Sequence, residues 1–149
     1  MSRQKVTTFL WFDSHAEEAA NFYVSLFKDS RVSRVTPGPG GDAFVVEFEL
    51  AGIKYIALNG GPMFKFNEAI SLSVDCADQA EVNELWEKLS EGGSTSRCGW
   101  LKDKYGLSWQ IVPHVLQKLM SDRSGRVMNA MMQMTKLDIQ KLQDAFDGR

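Results

Sequence analysis

Cysteine and histidine are scarce in this sequence, which has two of each among its 149 residues. The cysteines, Cys76 and Cys98, form no CxxC motif and are too few for a disulfide framework. The histidines, His15 and His114, belong to no HxH or HExxH pattern. A zinc ribbon is therefore excluded, and the low cysteine content fits a reducing compartment.

A surplus of positive charge is also missing, because 17 lysine and arginine residues face 19 aspartate and glutamate residues. Without such a surplus, an extended nucleic-acid surface is not expected. No apolar run approaches the ~20 residues of a membrane-spanning helix, and the N-terminal residues lead into a strand-like segment instead of a signal peptide. We expect a soluble, cytoplasmic protein that binds neither nucleic acid nor membranes.

The first part of the chain predicts a strand, a helix and a three-stranded meander. β-branched and aromatic residues fill the segment 5–12, which predicts a strand. Ser14 and Glu17 have the spacing of a capping box, which predicts that a helix starts there. Turn residues then separate three strands predicted at 31–36, 43–50 and 53–58.

The same order of elements follows a second time. A strand is predicted at 69–74, a helix from Asp78 to Gly92, and short strands near 94–99, 100–103 and 107–113. A shift of 63 residues places Ala19, Phe22, Tyr23 and Leu26 of the first helix on Val82, Leu85, Trp86 and Leu89 of the second. This correspondence indicates an internal repeat.

The last segment, 114–149, has helical periodicity and is rich in methionine. Four of the seven methionines lie between positions 128 and 134. Two interpretations stay open: a pair of helices that covers a core or a dimer seam, or an adaptable methionine-rich surface for ligands or partners.

The glycine-rich run Gly38–Gly41 invites comparison with loops that bind phosphate. Such loops follow a strand and open a helix, so that backbone N–H groups face the anion. Here a strand-like segment follows, which favours a hairpin turn. The run therefore gives no support to a nucleotide or S-adenosylmethionine site of the doubly wound type.

The segment 100–113 is the densest candidate for a binding surface. Its alternation places Leu107, Trp109 and Ile111 on one face, which is typical of a core. Ser108 and Gln110 lie on the other face, where a hydroxyl and an amide are suited to the wall of a cavity for a small polar molecule.

Two segments carry a resemblance to a known family. The residues Phe9–Phe27, with Phe9-Leu-Trp-Phe-Asp-Ser-His-Ala-Glu-Glu, and Cys98–Pro113, with Tyr-Gly-Leu-Ser-Trp-Gln-Ile-Val-Pro, resemble the PhnB-like branch of the vicinal oxygen chelate superfamily. The segment 126–139 is similar to the ending of the family labelled 3-demethylubiquinone-9 3-methyltransferase. The resemblance implies an α+β fold of two βαβββ modules, at 5–60 and 69–113, followed by a helical tail at 114–149 within one domain. It also implies a cupped sheet around a cavity and a homodimer.

Metal-dependent members of that superfamily hold a divalent ion with side chains from the first and last strands of each module. By motif position the corresponding residues here fall near Val6, Ala57, Ala69 and Gln110. Gln110 alone could act as a ligand, and one amide oxygen does not hold a transition metal. The resemblance therefore implies the fold without its catalytic metal, and we expect no bound metal and no cofactor.

The cavity implied by the resemblance is expected to bind a small aromatic or amphiphilic molecule. Its expected lining is Thr8, Leu10, Asn59, Ser71, Ser73, Cys98, Trp100, Ser108 and Gln110, with Trp100 as a stacking face and Phe64 and Phe66 as a lid. Two other functions stay open. One is a metal-independent lyase, isomerase or transferase, for which Asp103, Tyr105 and His114 are candidate acid/base groups, and the other is a dimeric interaction protein.

Overall fold

In the computed structural model, which describes residues 3–149, the chain divides between Phe66 and Asn67 into two units. Each unit is built on one four-stranded sheet. The first contains β1 (Thr8–Phe12), α1 (Ala16–Val24), β2 (Arg31–Pro37), β3 (Ala43–Leu50) and β4 (Ile53–Asn59). Its sheet order is β1-β4-β3-β2, with β1 parallel to β4 and the other neighbours antiparallel.

The helix α1 does not begin with the predicted capping box of Ser14 and Glu17. That prediction is wrong. The N-cap residue is His15, whose side chain makes no capping hydrogen bond to a backbone N–H of the helix and instead lies 3.4 Å from the Glu18 carboxylate. The backbone N–H of Ala16 donates instead to Oδ1 of Asn59, at 2.8 Å, from the end of β4. A side chain from a neighbouring strand therefore satisfies a helix N–H group that the local sequence leaves open.

The second unit contains β5 (Ser71–Cys76), α2 (Gln79–Ser90), β6 (Ser94–Thr95), β7 (Trp100–Lys102) and β8 (Ser108–Pro113). Its sheet order is β5-β8-β7-β6, again with one parallel pair, β5 and β8. The predicted start of α2 is confirmed, because the Asp78 side chain accepts a hydrogen bond from the Glu81 N–H at 2.9 Å.

The predicted repeat is confirmed by the positions of its elements. β1 begins at Thr8 and β5 at Ser71, while α1 begins at Ala16 and α2 at Gln79. Both separations are 63 residues, and both sheets have the same order of strands.

The tail folds into α3 (Leu116–Leu119), α4 (Arg126–Met132) and α5 (Ile139–Asp147). These helices enclose their own apolar cluster, formed by Leu119, Val127, Leu137 and Leu142, with Met131 and Met134 packed against it. Met128 and Met132 are exposed. Some methionines of the tail therefore cover an apolar cluster, and others are exposed on the surface. No helix among residues 3–149 is long and apolar enough to cross a membrane.

The tail is bonded to the loop between β6 and β7. Backbone N–H groups of Cys98 and Gly99 donate to the carbonyls of Met134 and Thr135, at 2.9 and 2.8 Å. Both donors have positive φ, 60° for Cys98 and 82° for Gly99. Residues with side chains rarely adopt that conformation, so the loop places two consecutive N–H groups toward the tail at the expense of strain at Cys98.

Candidate functional site

A cleft of about 460 Å³ lies in the second unit. It is lined by Glu68, Ser94, Thr95, Ser96, Trp100, Leu101, Lys102 and Ser108. Its size is within the range of small-molecule sites. Its side chains combine one aromatic ring, several hydroxyls and a pair of opposite charges.

The strand register explains why these side chains share one face of the sheet. Lys102 on β7 lies opposite Ser108 on β8 and opposite Ser94 on β6. Directly paired residues project to the same side of a sheet, so the three form a polar row. Trp100 begins the next row, opposite Gln110. The other face carries Trp109 and Ile111, which are buried as predicted, and Leu101, which is buried as well.

Ser108 is the most enclosed polar residue of the cleft lining. The residue is 1% exposed, and its hydroxyl has no hydrogen-bond partner among residues 3–149. Burying a hydroxyl without a partner costs on the order of 1–3 kcal/mol. Unpartnered buried polar groups are rare in folded proteins and are frequently connected with function.

Lys102 forms an ion pair with Glu68, which lies just before β5. The hydrogen bond from Lys102, together with its positive charge, holds the pKa of Glu68 below its usual value. Both side chains remain substantially exposed, at 44% for Lys102 and 66% for Glu68. The pair is therefore solvated and contributes little to the stability of the fold.

Three further residues of the predicted lining lie on the same sheet face as the cleft. Ser71 and Ser73 on β5 pair in register with Ser108 and Gln110 on β8. The Gln110 amide donates to the Ser71 hydroxyl at 2.9 Å. Of the predicted lining residues, Trp100 and Ser108 line the cleft directly. Ser71, Ser73 and Gln110 extend the polar face beside it.

The remaining residues of the predicted lining lie elsewhere. Thr8, Leu10 and Asn59 belong to the first unit, where Leu10 is buried in the core. The Asn59 amide is engaged structurally, because it donates to the Ala43 carbonyl at 2.9 Å and accepts from Ala16. Cys98 lies in the loop that leads into β7 and is partly exposed. Ligand binding by these residues remains a prediction.

The predicted lid residues both pack against β1 in the first unit. Phe64 meets Trp11 edge to face, with ring centroids 4.9 Å apart, and Phe66 meets Phe12 in the same way at 5.2 Å. Phe64 is exposed. Their role as a lid remains a prediction.

The candidate acid/base groups occupy different environments. The Asp103 carboxylate is buried and accepts hydrogen bonds from the N–H groups of Tyr105 and Leu107 and from the indole of Trp109. This arrangement organises the turn between β7 and β8. His114 is exposed, and its Nδ1 lies 2.9 Å from the Asp75 carboxylate. Catalysis by Asp103, Tyr105 or His114 remains a prediction.

The thiol of Cys76 is buried at the end of β5. Burial, together with the negative charges of Glu81 and Asp75, raises the pKa of Cys76 to about 12. The thiolate is the nucleophilic form of cysteine, so this environment keeps Cys76 unreactive at neutral pH.

The residues at the superfamily's metal positions do not fit a divalent ion. The strands β1, β4, β5 and β8 contain no histidine and no glutamate. Gln110 lies on the polar face, but its amide nitrogen is bonded to Ser71. Among residues 3–149, no group of three or more His, Cys, Asp or Glu side chains converges.

Sequence analysis missed the charged pair of the cleft and the hydroxyls of Ser94 to Ser96. Lys102 lies two residues beyond Trp100 on the same strand, so the alternation of strand side chains, counted from Trp100, indicates Lys102 as well. Glu68 lies in a turn, where no periodicity exists to reveal which side chains face a site.

Comparison with known proteins agrees with this architecture. Residues 4–112 match the family described as 3-demethylubiquinone-9 3-methyltransferase. The PhnB protein from Bacillus cereus is 34% identical, and the match covers 74% of this chain and 99% of that one, with a TM-score of 0.70. No curated protein matches.

More distant structures share the fold. The fosfomycin resistance protein FosX from Mesorhizobium loti is 11% identical over 82% of this chain and 100% of that one, with a TM-score of 0.58. The trypanothione-dependent glyoxalase I from Leishmania major is 12% identical over 86% and 99%, with a TM-score of 0.51. At these identities the likeness concerns the fold alone. The predicted α+β fold of glyoxalase/bleomycin-resistance type is confirmed.

Proposed function

The chain belongs to the PhnB-like family described as 3-demethylubiquinone-9 3-methyltransferase, and we propose that this member binds a small aromatic or amphiphilic molecule in the cleft of its second unit. The ligand binds without a bound metal. Its ring packs on Trp100, and its polar end meets the hydroxyls and the charged pair.

The unpartnered hydroxyl of Ser108 is the observation that carries this proposal. A buried hydroxyl without a partner destabilises the protein in the absence of a ligand. A ligand atom that bonds to it recovers that free energy on binding. Ser108 and Trp100 both line the cleft. Because the Ser108 hydroxyl is buried, a ligand that packs on Trp100 bonds to it through a local rearrangement of the lining.

Methyl transfer, named in the family's description, receives no support from the residues of this chain. The glycine-rich run Gly38–Gly41 lies between the strands β2 and β3. It therefore presents no helix N-terminus to a cofactor's anionic groups. We propose ligand binding as the property that this chain's residues support.

A thermal-shift screen with a diverse library of aromatic compounds tests the proposal. Compounds that bind the cleft raise the melting temperature of the wild-type protein and not that of Trp100→Ala. Trp86→Ala is the matched control, because Trp86 lies on α2 and does not line the cleft. A melting temperature that stays unchanged across the library counts against ligand binding, and equal shifts in Trp100→Ala count against this cleft.

Metal-independent catalysis is a second candidate, favoured by the contact between His114 and Asp75. A carboxylate at Nδ1 orients the imidazole and leaves Nε2 to exchange a proton with a substrate. Lyase and isomerase reactions frequently begin with proton abstraction from carbon. His114 and Asp75 do not line the cleft, so all compounds of the library, and not only those that bind the cleft, are incubated with the protein in D₂O. Deuterium incorporation is followed by ¹H NMR. Catalysis by this pair requires that His114→Gln abolish the exchange and that Asp75→Asn reduce it.

We further propose that the protein is a cytoplasmic homodimer. Met128 and Met132 expose apolar surface on α4, and such surface is suited to association. Light scattering coupled to size-exclusion chromatography measures the mass directly, and a mass of 16.8 kDa at all concentrations identifies a monomer instead. Cell fractionation tests whether the protein is cytoplasmic.

A further inference from the structure

We propose that the cleft recognises its ligand through a singly charged anionic group, and that this group displaces Glu68 from Lys102. The inference rests on the ligand binding proposed above and specifies the chemical class of the ligand. It assigns separate roles to three side chains: Lys102 binds the anion, Ser108 donates to it, and Glu68 competes with it.

The donors of the cleft determine the chemistry of the group that binds there. An ammonium has donors and no acceptor, and a serine hydroxyl is able to donate. Lys102 and Ser108 are directly opposed on β7 and β8, which places their Cβ atoms within about 5.5 Å of each other. A group that bonds to both must supply acceptor oxygens. A negative charge on those oxygens strengthens both hydrogen bonds.

Glu68 has the properties of a replaceable counterion. Lys102 is fixed within a strand, whereas Glu68 lies in the turn before β5 and is the more exposed partner. An exposed ion pair contributes little stability, so an incoming anion exchanges with Glu68 at little cost. The cleft lining contains one cationic side chain, Lys102, and a single negative charge on the ligand is therefore sufficient.

Two naphthalene compounds that differ in charge test the inference by isothermal titration calorimetry. 2-Naphthalenesulfonate carries one negative charge, and 2-naphthalenesulfonamide has a similar shape and is neutral at pH 7. We expect the sulfonate to bind about tenfold more tightly. Glu68→Gln should tighten sulfonate binding by about fivefold and leave the sulfonamide unchanged. Lys102→Met should remove the preference for the sulfonate. Titration with 2-naphthoate then distinguishes a planar carboxylate from a tetrahedral anion.

A second lysine–glutamate pair provides the matched control. Lys88 and Glu84 form an exposed ion pair at 2.8 Å on α2, outside the cleft lining. Glu84→Gln makes the same chemical change as Glu68→Gln and should leave both affinities unchanged. Circular dichroism verifies that each variant is folded before titration.

The results of these titrations separate the inference about the anionic group from the proposal that the cleft binds aromatic molecules. Equal affinities of the two compounds, or a sulfonate preference that survives Lys102→Met, overturn the inference and leave aromatic binding intact. A preference that Glu68→Gln does not strengthen overturns the role of Glu68. Failure of both compounds to bind overturns the inference together with aromatic binding in this cleft.

Discussion

Lys102 and Ser108 face each other across the antiparallel pair of β7 and β8, yet only the Lys102 side chain has a bonding partner within residues 3–149. Lys102 is paired with Glu68, and the buried hydroxyl of Ser108 has no partner among residues 3–149. A row of the sheet thus contains both a satisfied charge and an unsatisfied hydroxyl. This asymmetry is expected where a protein retains an unfavourable feature for its ligand.

Replacing Ser108 should therefore stabilise the protein without ligand and weaken ligand binding. Ser108→Ala removes a buried hydroxyl that makes no hydrogen bond, so we expect the free energy of unfolding to rise by about 1 kcal/mol. Urea unfolding measures the change. Ser71→Ala, in the same row, is the control and should destabilise by about 1 kcal/mol, because it removes the acceptor of the Gln110 amide. A loss of stability in Ser108→Ala would show that the hydroxyl is bonded in solution.

Asp103 should prove essential for folding of the β7–β8 hairpin. Its carboxylate accepts hydrogen bonds from Tyr105, Leu107 and Trp109. Asp103→Ala leaves those donors without their acceptor, which should lower the free energy of unfolding by about 3 kcal/mol. Asp103→Asn keeps one acceptor oxygen and should cost less. Urea unfolding of both variants measures the difference, and near-wild-type stability of Asp103→Ala would contradict the structural role.

The two cysteines should differ in reactivity. Cys76 is buried with a pKa raised to about 12, and Cys98 is partly exposed. Ellman's reagent at pH 8 should modify Cys98 in the folded protein and Cys76 only after unfolding. Rapid modification of Cys76 in the folded Cys98→Ser variant would contradict its burial.

The raised pKa of Cys76 also fixes the direction of a pH effect. The unfolded thiol ionises near its ordinary value of 9.0, and the folded thiol ionises near 12. The unfolded state therefore binds fewer protons between these values, and stability falls as pH rises through this window. Cys76→Ala should show a shallower decline above pH 9 than the wild type. Parallel declines in the two proteins would mean that Cys76 is not responsible.

The start of α1 should depend on Asn59 and not on Ser14. Asn59 accepts from the Ala16 N–H and donates to the Ala43 carbonyl. Asn59→Ala removes both bonds and should lower the free energy of unfolding by about 2 kcal/mol. Ser14→Ala should change it by less than about 0.5 kcal/mol. Thermal unfolding compares the two variants, and the reverse order of effects would restore the predicted capping box.

The elements could be predicted from the sequence because each has its own local periodicity. Leu107, Trp109 and Ile111 alternate along one strand region, and all three are buried. The bond from Ala16 to Asn59 could not be predicted in the same way, because 43 residues separate the partners and a strand pairing brings them together. Local capping signals do not include such long-range partners.

The candidate site could be predicted where it follows the alternation of strands. Trp100 and Ser108, which were expected to line a ligand cavity, both border the cleft, and their contact with a ligand stays a prediction. Glu68 belongs to a turn, and its contact with Lys102 depends on the path of that turn across the sheet. The absence of a hydrogen-bond partner for the Ser108 hydroxyl within residues 3–149 could not be predicted from the sequence either, because it depends on which polar groups lie near the hydroxyl in the folded chain.

The hydrogen bonds from Cys98 and Gly99 to Met134 and Thr135 connect the tail to the segment that leads into the cleft lining. Trp100 follows directly after these two donors, so a residue of the cleft lining is continuous in sequence with the segment that bonds to the tail. The fluorescence of a dye attached near the end of α5, which does not line the cleft, therefore tests whether ligand binding in the cleft changes the environment of the tail. Shortening the chain before Met134 would remove these two acceptors together with Leu137 and Leu142 of the apolar cluster, although every residue of the cleft lining is retained.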